Sequence, residues 1–380
     1  MKDLTVGVVA TSRKENEYRL AVHPAHLDRI DPGLRGRIFL EHGYGERFGY
    51  TDEILAPLVA GHRTREELFA ECDVLLLAKP MAEDLEQMRP GTIVWGWPHC
   101  VQDARITQLA VDRELTLIAW EAMNHWTSSG AFSVHVFHKN NELAGYCSVL
   151  QALQLRGVTG DYGRRMRAAV ISFGATARGA VRALSALGIS DVTVLTQRSV
   201  SAVASPFASV RMQHFQRDPA DPGRTLALKA PEPGPLAEVL ATYDVIVNCM
   251  FQDTEEPLTF VTNDDLGLFT RGTLFVDVSC DEGMGFEWSR PTSFTDPMFT
   301  VGDDLHYYGV DHSPSYLWNS ATWENSEALL EYLPIVLSGP EAWDGDETIR
   351  RAIEIRAGRI QNPRILSFQG RVAEYPYAVA

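Results

Sequence analysis

Four ionisable residues in the first third of the chain each follow a run of apolar residues. Arg19 comes after Leu4–Ala10 through the polar loop TSRKENEYR, and Lys79 ends VLLLAK. His99 ends IVWGWPH and Glu121 ends LTLIAWE. Apolar runs separated by helix-period segments read as parallel strands covered on both faces, and residues just past the carboxyl ends of such strands line the crevice of an open α/β sheet. A guanidinium, an ammonium, an imidazole and a carboxylate are groups that bind anions and exchange protons. Each also has a packing explanation: an arginine solvated beyond a polar loop, a lysine extending to water from a strand end, a histidine filling a loop. A second set lies further on. Asp277 and Asp281 close TLFVDVSCD, Asn248 ends DVIVN, and VDHSPSYL holds Asp311 and His312. Asp277 could equally cap the segment after it, and Asp311–Pro314 could form an Asx or Ser/Thr turn.

Between Arg167 and Arg198 the chain reads RAAVISFGATARGAVRALSALGISDVTVLTQR. The apolar run Ala168–Ser172 meets a small-residue turn (Gly174, Ala175, Ala177, Gly179). A helix-period segment and a second apolar run, Val192–Leu195, follow. Strand, turn, helix and strand in that order predict a dinucleotide unit, in which backbone N–H groups at the helix start meet a pyrophosphate. The glycine fingerprint is incomplete, because Ser172 stands at its first position and Ala177 at its third. Tight packing without a nucleotide is the competing explanation. The second strand ends in Thr196, Gln197, Arg198 and Ser199, with no carboxylate for a ribose 2′-hydroxyl. An arginine there suits a 2′-phosphate, so NADPH is expected in preference to NADH. The expected cofactor contacts are Gly174, Ala175, Thr176, Ala177, Gln197, Arg198, Ser199, Asn248 and Asp281.

At 380 residues, two domains are the default. A content of 45% hydrophobic and 22% charged residues leaves material for two cores. The formal charge of −16 argues against nucleic acid or an anionic membrane as partner, yet permits an anionic metabolite held by a few local cations. No run is long and apolar enough for a membrane span, and the N-terminus lacks a signal-peptide pattern, so a cytoplasmic location is expected. Five scattered cysteines read as small buried apolar residues rather than disulfides. His135 and His138 have a ligand-like spacing without a second ligand pair; they read as a surface helix or turn, and no metal is expected.

The first domain is expected to carry strands at Leu4–Ala10, Ile38–Glu41, Val74–Ala78, Thr92–Trp97 and Leu115–Trp120. Helices are expected at Pro24–Ile30, Arg63–Ala70 and Ala104–Arg113. Asn141–Arg156 has helical spacing, and Phe207–Pro235, rich in Pro, Asp and Arg, reads as a surface excursion. Asp244–Met250 and Thr273–Ser279 extend the second sheet, and Trp323–Leu337 reads as a helix. The expected fold class is therefore α/β, with two Rossmann-like domains about a central cleft, the second a doubly wound parallel sheet binding a dinucleotide. The boundaries are 1–138 plus 319–380 for a substrate and catalytic domain, and 139–318 for the dinucleotide domain.

The chain resembles the alanine dehydrogenase superfamily, which also holds saccharopine dehydrogenase and N5-(carboxyethyl)ornithine synthase. The resemblance rests on ENEYRLAVHP (15–24), LLLAKP (75–80), GWPHC (96–100), AWE (119–121), NELAGY (141–146), FVDVSCDEG (275–283), SRPTSFTDP (289–297) and VDHSPSYL (310–317). It implies Arg19 and Lys79 at a substrate carboxylate, His99 at proton transfer, Glu121 as a tuning group, and Asp281 beside nicotinamide or substrate. The form D-H-x-P-S at 311–315 looks like saccharopine dehydrogenase, and FGATARGA with QRS looks like the synthase, whereas SRPT (289–292) looks like alanine dehydrogenase. Weighting the first two implies NADPH-dependent condensation of a 2-oxo acid with an amino acid's amino group, giving an opine-type secondary amine. In that chemistry Lys79, His99, Glu121 and Asp281 are catalytic, and Arg19, Lys79, Asp311 and His312 bind substrate. Reductive amination with ammonia, and a non-catalytic nucleotide-binding regulator, are the alternatives. Trp318 and Trp323 are compatible with a homodimer.

Overall fold

The computed structural model describes residues 4–198, 210–221, 223–228, 232–253 and 256–379. They fall into two compact units, Met1–His138 with Trp318–Ala380, and Lys139–Leu317. In each unit apolar residues alternate along the strands, so both sheet faces are buried, as parallel pairing with covering helices requires. In the first unit Val74, Leu76, Trp95 and Ile118 enter one core, and Leu75, Leu77, Val94 and Leu117 enter the other. In the second, Val170, Val194, Val247 and Val276 face one side, and Ile171, Leu195, Ile246 and Phe275 the opposite side. Each such side chain contributes about 1.5–3 kcal/mol on burial.

The first sheet has eight strands. Six are parallel, in the spatial order Gly61–Arg63, Ile38–Glu41, Val6–Val8, Val74–Leu76, Ile93–Gly96, Thr116–Ala119. Numbered along the chain this is 3-2-1-4-5-6, which reverses direction between Val6–Val8 and Val74–Leu76. The polar loop ending at Arg19 and the segment ending at Lys79 leave the two strands that flank this switch point, where ligands of such sheets bind. The chain's tail completes the sheet. Ile353–Arg356 pairs antiparallel with Thr116–Ala119, and Arg359–Ile360 pairs with it in turn. Gly61–Arg63 was not expected as a strand, since its three residues carry no apolar signal.

The second unit repeats the 3-2-1-4-5-6 order with Val210–Arg217, Asp191–Thr196, Arg167–Ile171, Val245–Asn248, Leu274–Asp277 and Leu305–Tyr308, extended by antiparallel strands at both edges. Much of the described part of the expected surface excursion at 207–235 is instead sheet. Val210–Arg217 joins the parallel core and Thr225–Ala227 pairs with it. Its half-exposed side chains break the apolar run by which a buried strand is read. The expected helix Trp323–Leu337 is two, Trp318–Leu330 and Leu333–Ser338, with Pro334 starting the second. His135 ends a strand, its Nε2 3.0 Å from the Trp120 carbonyl, rather than lying on a surface helix. Among the described residues no helix is long and apolar enough to cross a membrane.

Helix Ala175–Ala186 lies backbone to backbone against helix His138–Leu155. A Cβ on Gly179 would fall 1.7 Å from the Glu142 carbonyl oxygen, and one on Gly145 would fall 1.9 Å from that of Thr176. Gly179 therefore serves this helix crossing and not the turn. Helix propensity alone favours Gly179→Ala by about 1 kcal/mol, but the clash is with backbone that cannot rotate away. The variant is expected to lose roughly 1–3 kcal/mol through overpacking, read as a lowered melting temperature. A rise would mean that the two helices part without cost.

Candidate active site

The register of the first sheet brings the carboxyl ends of three neighbouring strands side by side. Leu76 lies opposite Trp95, and Gly96 opposite Ala119. The strands stay bonded beyond their ends, Leu77 N–H to the Trp95 carbonyl at 3.2 Å and Trp97 N–H to the Ala78 carbonyl at 3.0 Å. Gly96 permits this, because a Cβ there would meet the Leu77 oxygen at 2.0 Å. Lys79 follows Ala78 directly, and His99 and Glu121 each lie two residues further on, past Trp97 and Ala119. Lys79 Nζ and His99 Nε2 are 2.7 Å apart. Either the ammonium donates to Nε2 or Nε2–H donates to the neutral amine, and in both cases one proton lies between the two nitrogens.

Glu121 fixes the histidine. Its Oε1 accepts the His99 backbone N–H at 2.7 Å and lies 3.9 Å from Nδ1. That bond stabilises a backbone at φ 48°, a left-handed conformation costing roughly 1–2 kcal/mol outside glycine. The Glu121 side chain is 29% exposed, but Oε2 is enclosed and has no hydrogen-bond partner among the described residues. Burial, with a smaller contribution from Glu354, pushes its carboxyl up to about 7, against the pull of nearby backbone N–H groups and Lys79. It can thus hold a proton near neutral pH.

Arg19 is buried rather than solvated. Its Nε and Nη2 reach the two oxygens of Glu17 at 2.8 and 2.5 Å, a two-pronged pair closed off from water. Its guanidinium also lies over the Trp97 ring, 4.8 Å from the centroid. Trp97 in turn packs edge-on against Trp120 at 4.6 Å, so the arginine is tied to the strand ends that carry His99 and Glu121. Glu17 was not picked out from the sequence, although E-x-R within ENEYR was the available signal.

In the second unit, Ser172 follows Arg167–Ile171 with φ 82°. The turn demands the conformation a glycine would adopt, and serine meets it at a conformational cost. Gly174 precedes helix Ala175–Ala186, which has no side-chain cap, and nothing lies within 4 Å of where its Cβ would be. The N–H groups of Ala175, Thr176 and Ala177 have no partner within the helix. An uncapped helix start above an open, side-chain-free turn fits a pyrophosphate. Ala175 and Ala177 belong to the helix rather than the turn, and Ala177 is buried in the core beneath it. Gln197 and Arg198 are exposed just past the second strand, where the Gln197 carbonyl lies 2.6 Å from His214 Nε2. Among the described residues the Arg198 side chain has no ion pair, and no carboxylate ends that strand. Ser199 lies outside the described residues.

Asp277 is a buried hub. It accepts hydrogen bonds from Asn248 Nδ2 (3.0 Å), the Cys280 N–H (2.9 Å), Ser289 Oγ (2.9 Å) and Tyr307 Oη (3.0 Å). Burial raises its carboxyl to about 6 while these donors oppose the rise. Asn248 donates to Asp277 and accepts the Met250 N–H at 3.1 Å, which fixes its amide at the strand end. The strand end thereby braces the loop on which Asp281 sits half-buried, with its carboxyl raised by burial. Asp311 is exposed and lies 2.5 Å from His312 Nδ1. The His312 ring is enclosed, edge-on to Phe294 at 4.9 Å. Instead of an isolated turn, the residues after it form a short 3₁₀ helix, Ser313–Leu317, pinned by Ser313 Oγ on the Ala144 carbonyl.

Comparison with known proteins shows the family to which the chain belongs. Residues 7–144 match the alanine dehydrogenase/PNT N-terminal domain and residues 157–363 match its C-terminal domain. The chain is 21% identical to the N(5)-(carboxyethyl)ornithine synthase of Clostridium botulinum over 84% of its length and 90% of the relative's. It is 25% identical to the alanine dehydrogenase of Mycobacterium tuberculosis, over 87% and 86%. Among solved structures, an L-alanine dehydrogenase superposes with a TM-score of 0.77 at 18% identity, covering 96% of this chain and 99% of that one. A transhydrogenase from Sinorhizobium meliloti superposes at 0.68, also at 18% identity, over 94% and 99%. With both halves matched, the chain belongs to the alanine dehydrogenase/PNT family and is a nicotinamide-dinucleotide-dependent oxidoreductase of amino-acid metabolism.

Proposed function

We propose that the protein joins a 2-oxo acid to the amino group of an amino acid and reduces the resulting imine with NADPH, giving an opine-type secondary amine. The observation that carries this reading is the 2.7 Å contact between Lys79 Nζ and His99 Nε2, a distance at which one proton serves both nitrogens. Imine formation needs a proton delivered to a departing hydroxyl and another removed from nitrogen, and a lysine–histidine pair sharing one proton does both near neutral pH. The Arg19 charge is already balanced by Glu17, so Lys79 supplies the net positive charge that an oxo-acid carboxylate requires. Asp281 and Asp311 are the carboxylates offered to the incoming amine, with His312 orienting Asp311. When bound, the nicotinamide supplies the hydride to the imine carbon.

The choice of amine is where a second reading stands. The alanine dehydrogenase relatives favour ammonia, while the synthase relative and the Asp311–Ser315 segment favour an amino acid. Crossing several 2-oxo acids with ammonium, lysine and ornithine in an NADPH-oxidation assay separates the two. Turnover is expected with an amino acid, and turnover on ammonium alone sinks the condensation reading.

His99→Ala is expected to leave NADPH affinity within about twofold and to lower kcat by roughly 10²–10⁴. Unchanged turnover would remove the imidazole from proton transfer. Arg198→Ala is expected to weaken NADPH binding by about 10-fold or more, the worth of a charge-assisted contact, and to leave NADH binding unchanged. Equal losses for both dinucleotides would take the guanidinium away from the 2′-phosphate.

A further inference from the structure

The tail strand Ile353–Arg356 does more than extend the first sheet. Ile353 pairs with Ile118 and Ile355 with Leu117, so the tail strand holds one residue more than its partner at Glu354. Such a bulge re-aims the residue it carries. Glu354 is 6% exposed although it lies between two buried isoleucines. Its carbonyl accepts the N–H groups of Gln361 and Asn362 at 2.8 and 3.2 Å, which fixes the bulge. Its carboxylate takes Asn362 Nδ2 at 2.6 Å and lies 4.0 Å from Sγ of Cys100, the residue after His99. Further along the tail, Gln369 Nε2 donates to the Cys100 and Val101 carbonyls at 2.7 and 3.1 Å. The tail therefore grips the turn that presents His99.

We infer that Glu354 is a positioning residue for the Lys79–His99–Glu121 site: the bulge sets its buried carboxylate behind the His99–Cys100 turn, whose backbone Glu121 also holds. The inference rests on the proposed role of these residues in proton transfer. Two carboxylates in one enclosed region resist ionising together, and the enclosed, unpartnered Oε2 of Glu121 is the atom at which a proton would sit. The other groups facing Glu121 are Lys79, which favours its ionised form, the His99 backbone and ring, the Cys100 thiol, and His135 beneath Trp120. Burial raises the Glu354 carboxyl as well, but Asn362 and Arg364 face it and favour its ionised form, whereas Oε2 of Glu121 has no hydrogen-bond partner among the described residues. Glu354 thus carries the charge and Glu121 the proton. As pH rises through about 7, Glu121 ionises beside the Lys79–His99 pair and stabilises positive charge there.

The test uses the full-length protein and infrared difference titration of the protonated carboxyl band, assigned by its loss in Glu121→Gln. In Glu354→Gln the band is expected to disappear at a pH lower by roughly one unit, and the matching limb of the kcat/KM profile to move with it. Asn362→Ser keeps the cap on the helix that follows but withdraws the amide from Glu354, which then takes up its own proton. A smaller shift in the same direction is expected, and this variant serves where Glu354→Gln does not fold. A band that titrates unchanged in the folded variant overturns the inference. A band that moves while the kinetic profile stays fixed upholds the coupling and instead defeats the reading of Glu121 as part of proton transfer.

Discussion

The site in the first unit depends on how closely two strands approach past their formal ends. Because position 96 has no side chain, the Leu77 carbonyl can occupy the space a Cβ would need, and the segments leading to Lys79 and His99 leave the sheet side by side. From that follows the 2.7 Å contact between Lys79 Nζ and His99 Nε2. The remaining features act on it. Glu121 holds the His99 backbone in a conformation it would otherwise leave, and Trp97 joins the buried Arg19–Glu17 pair to the same edge. The absence of a side chain at Gly96 thus governs whether the two nitrogens can meet.

The second unit solves a different problem with the same sheet order. An anion must be met by backbone, and backbone is available only where side chains are withheld. Gly174 withholds one at the helix start, Ser172 accepts a left-handed backbone to turn the chain there, and Gly145 and Gly179 let the supporting helix lie close. The Asp277 hub then locks the ends of two neighbouring strands through four donors, so the loop carrying Asp281 rests on a satisfied buried carboxylate. An ionised group buried with fewer partners would be costly.

Much of this was legible in the sequence, because buried parallel strands are continuous apolar runs and whatever ends them stands out. Lys79, His99 and Glu121 are visible in that way, as is the strand–turn–helix unit at 167–198. Strands without the apolar signature were not visible. Gly61–Arg63 and Val210–Arg217 are only partly covered, so polar residues are tolerated and the pattern dissolves. Partnership was also illegible. Nothing local says that Asp277 is held by Ser289 and Tyr307, or that a glutamate far along the chain lies behind Cys100. These are facts of three-dimensional closure, and a strand bulge such as that at Glu354 depends on the partner strand as much as on its own residues.

The discontinuity of the first unit also bears on how the protein is made. Its sheet needs Ile353–Arg356 against Thr116–Ala119, and its main core takes in Leu329, Val336 and Leu337, all of which emerge only after residues 139–317. On a ribosome the second unit can close as soon as its own strands exist, whereas the first must wait with an open apolar edge. Contacts between residues so far apart in sequence slow folding, and unpaired strand edges invite wrong partners in the meantime. The first unit is therefore the part of the molecule most dependent on synthesis rate and chaperones, even though its first six strands are among the earliest segments made.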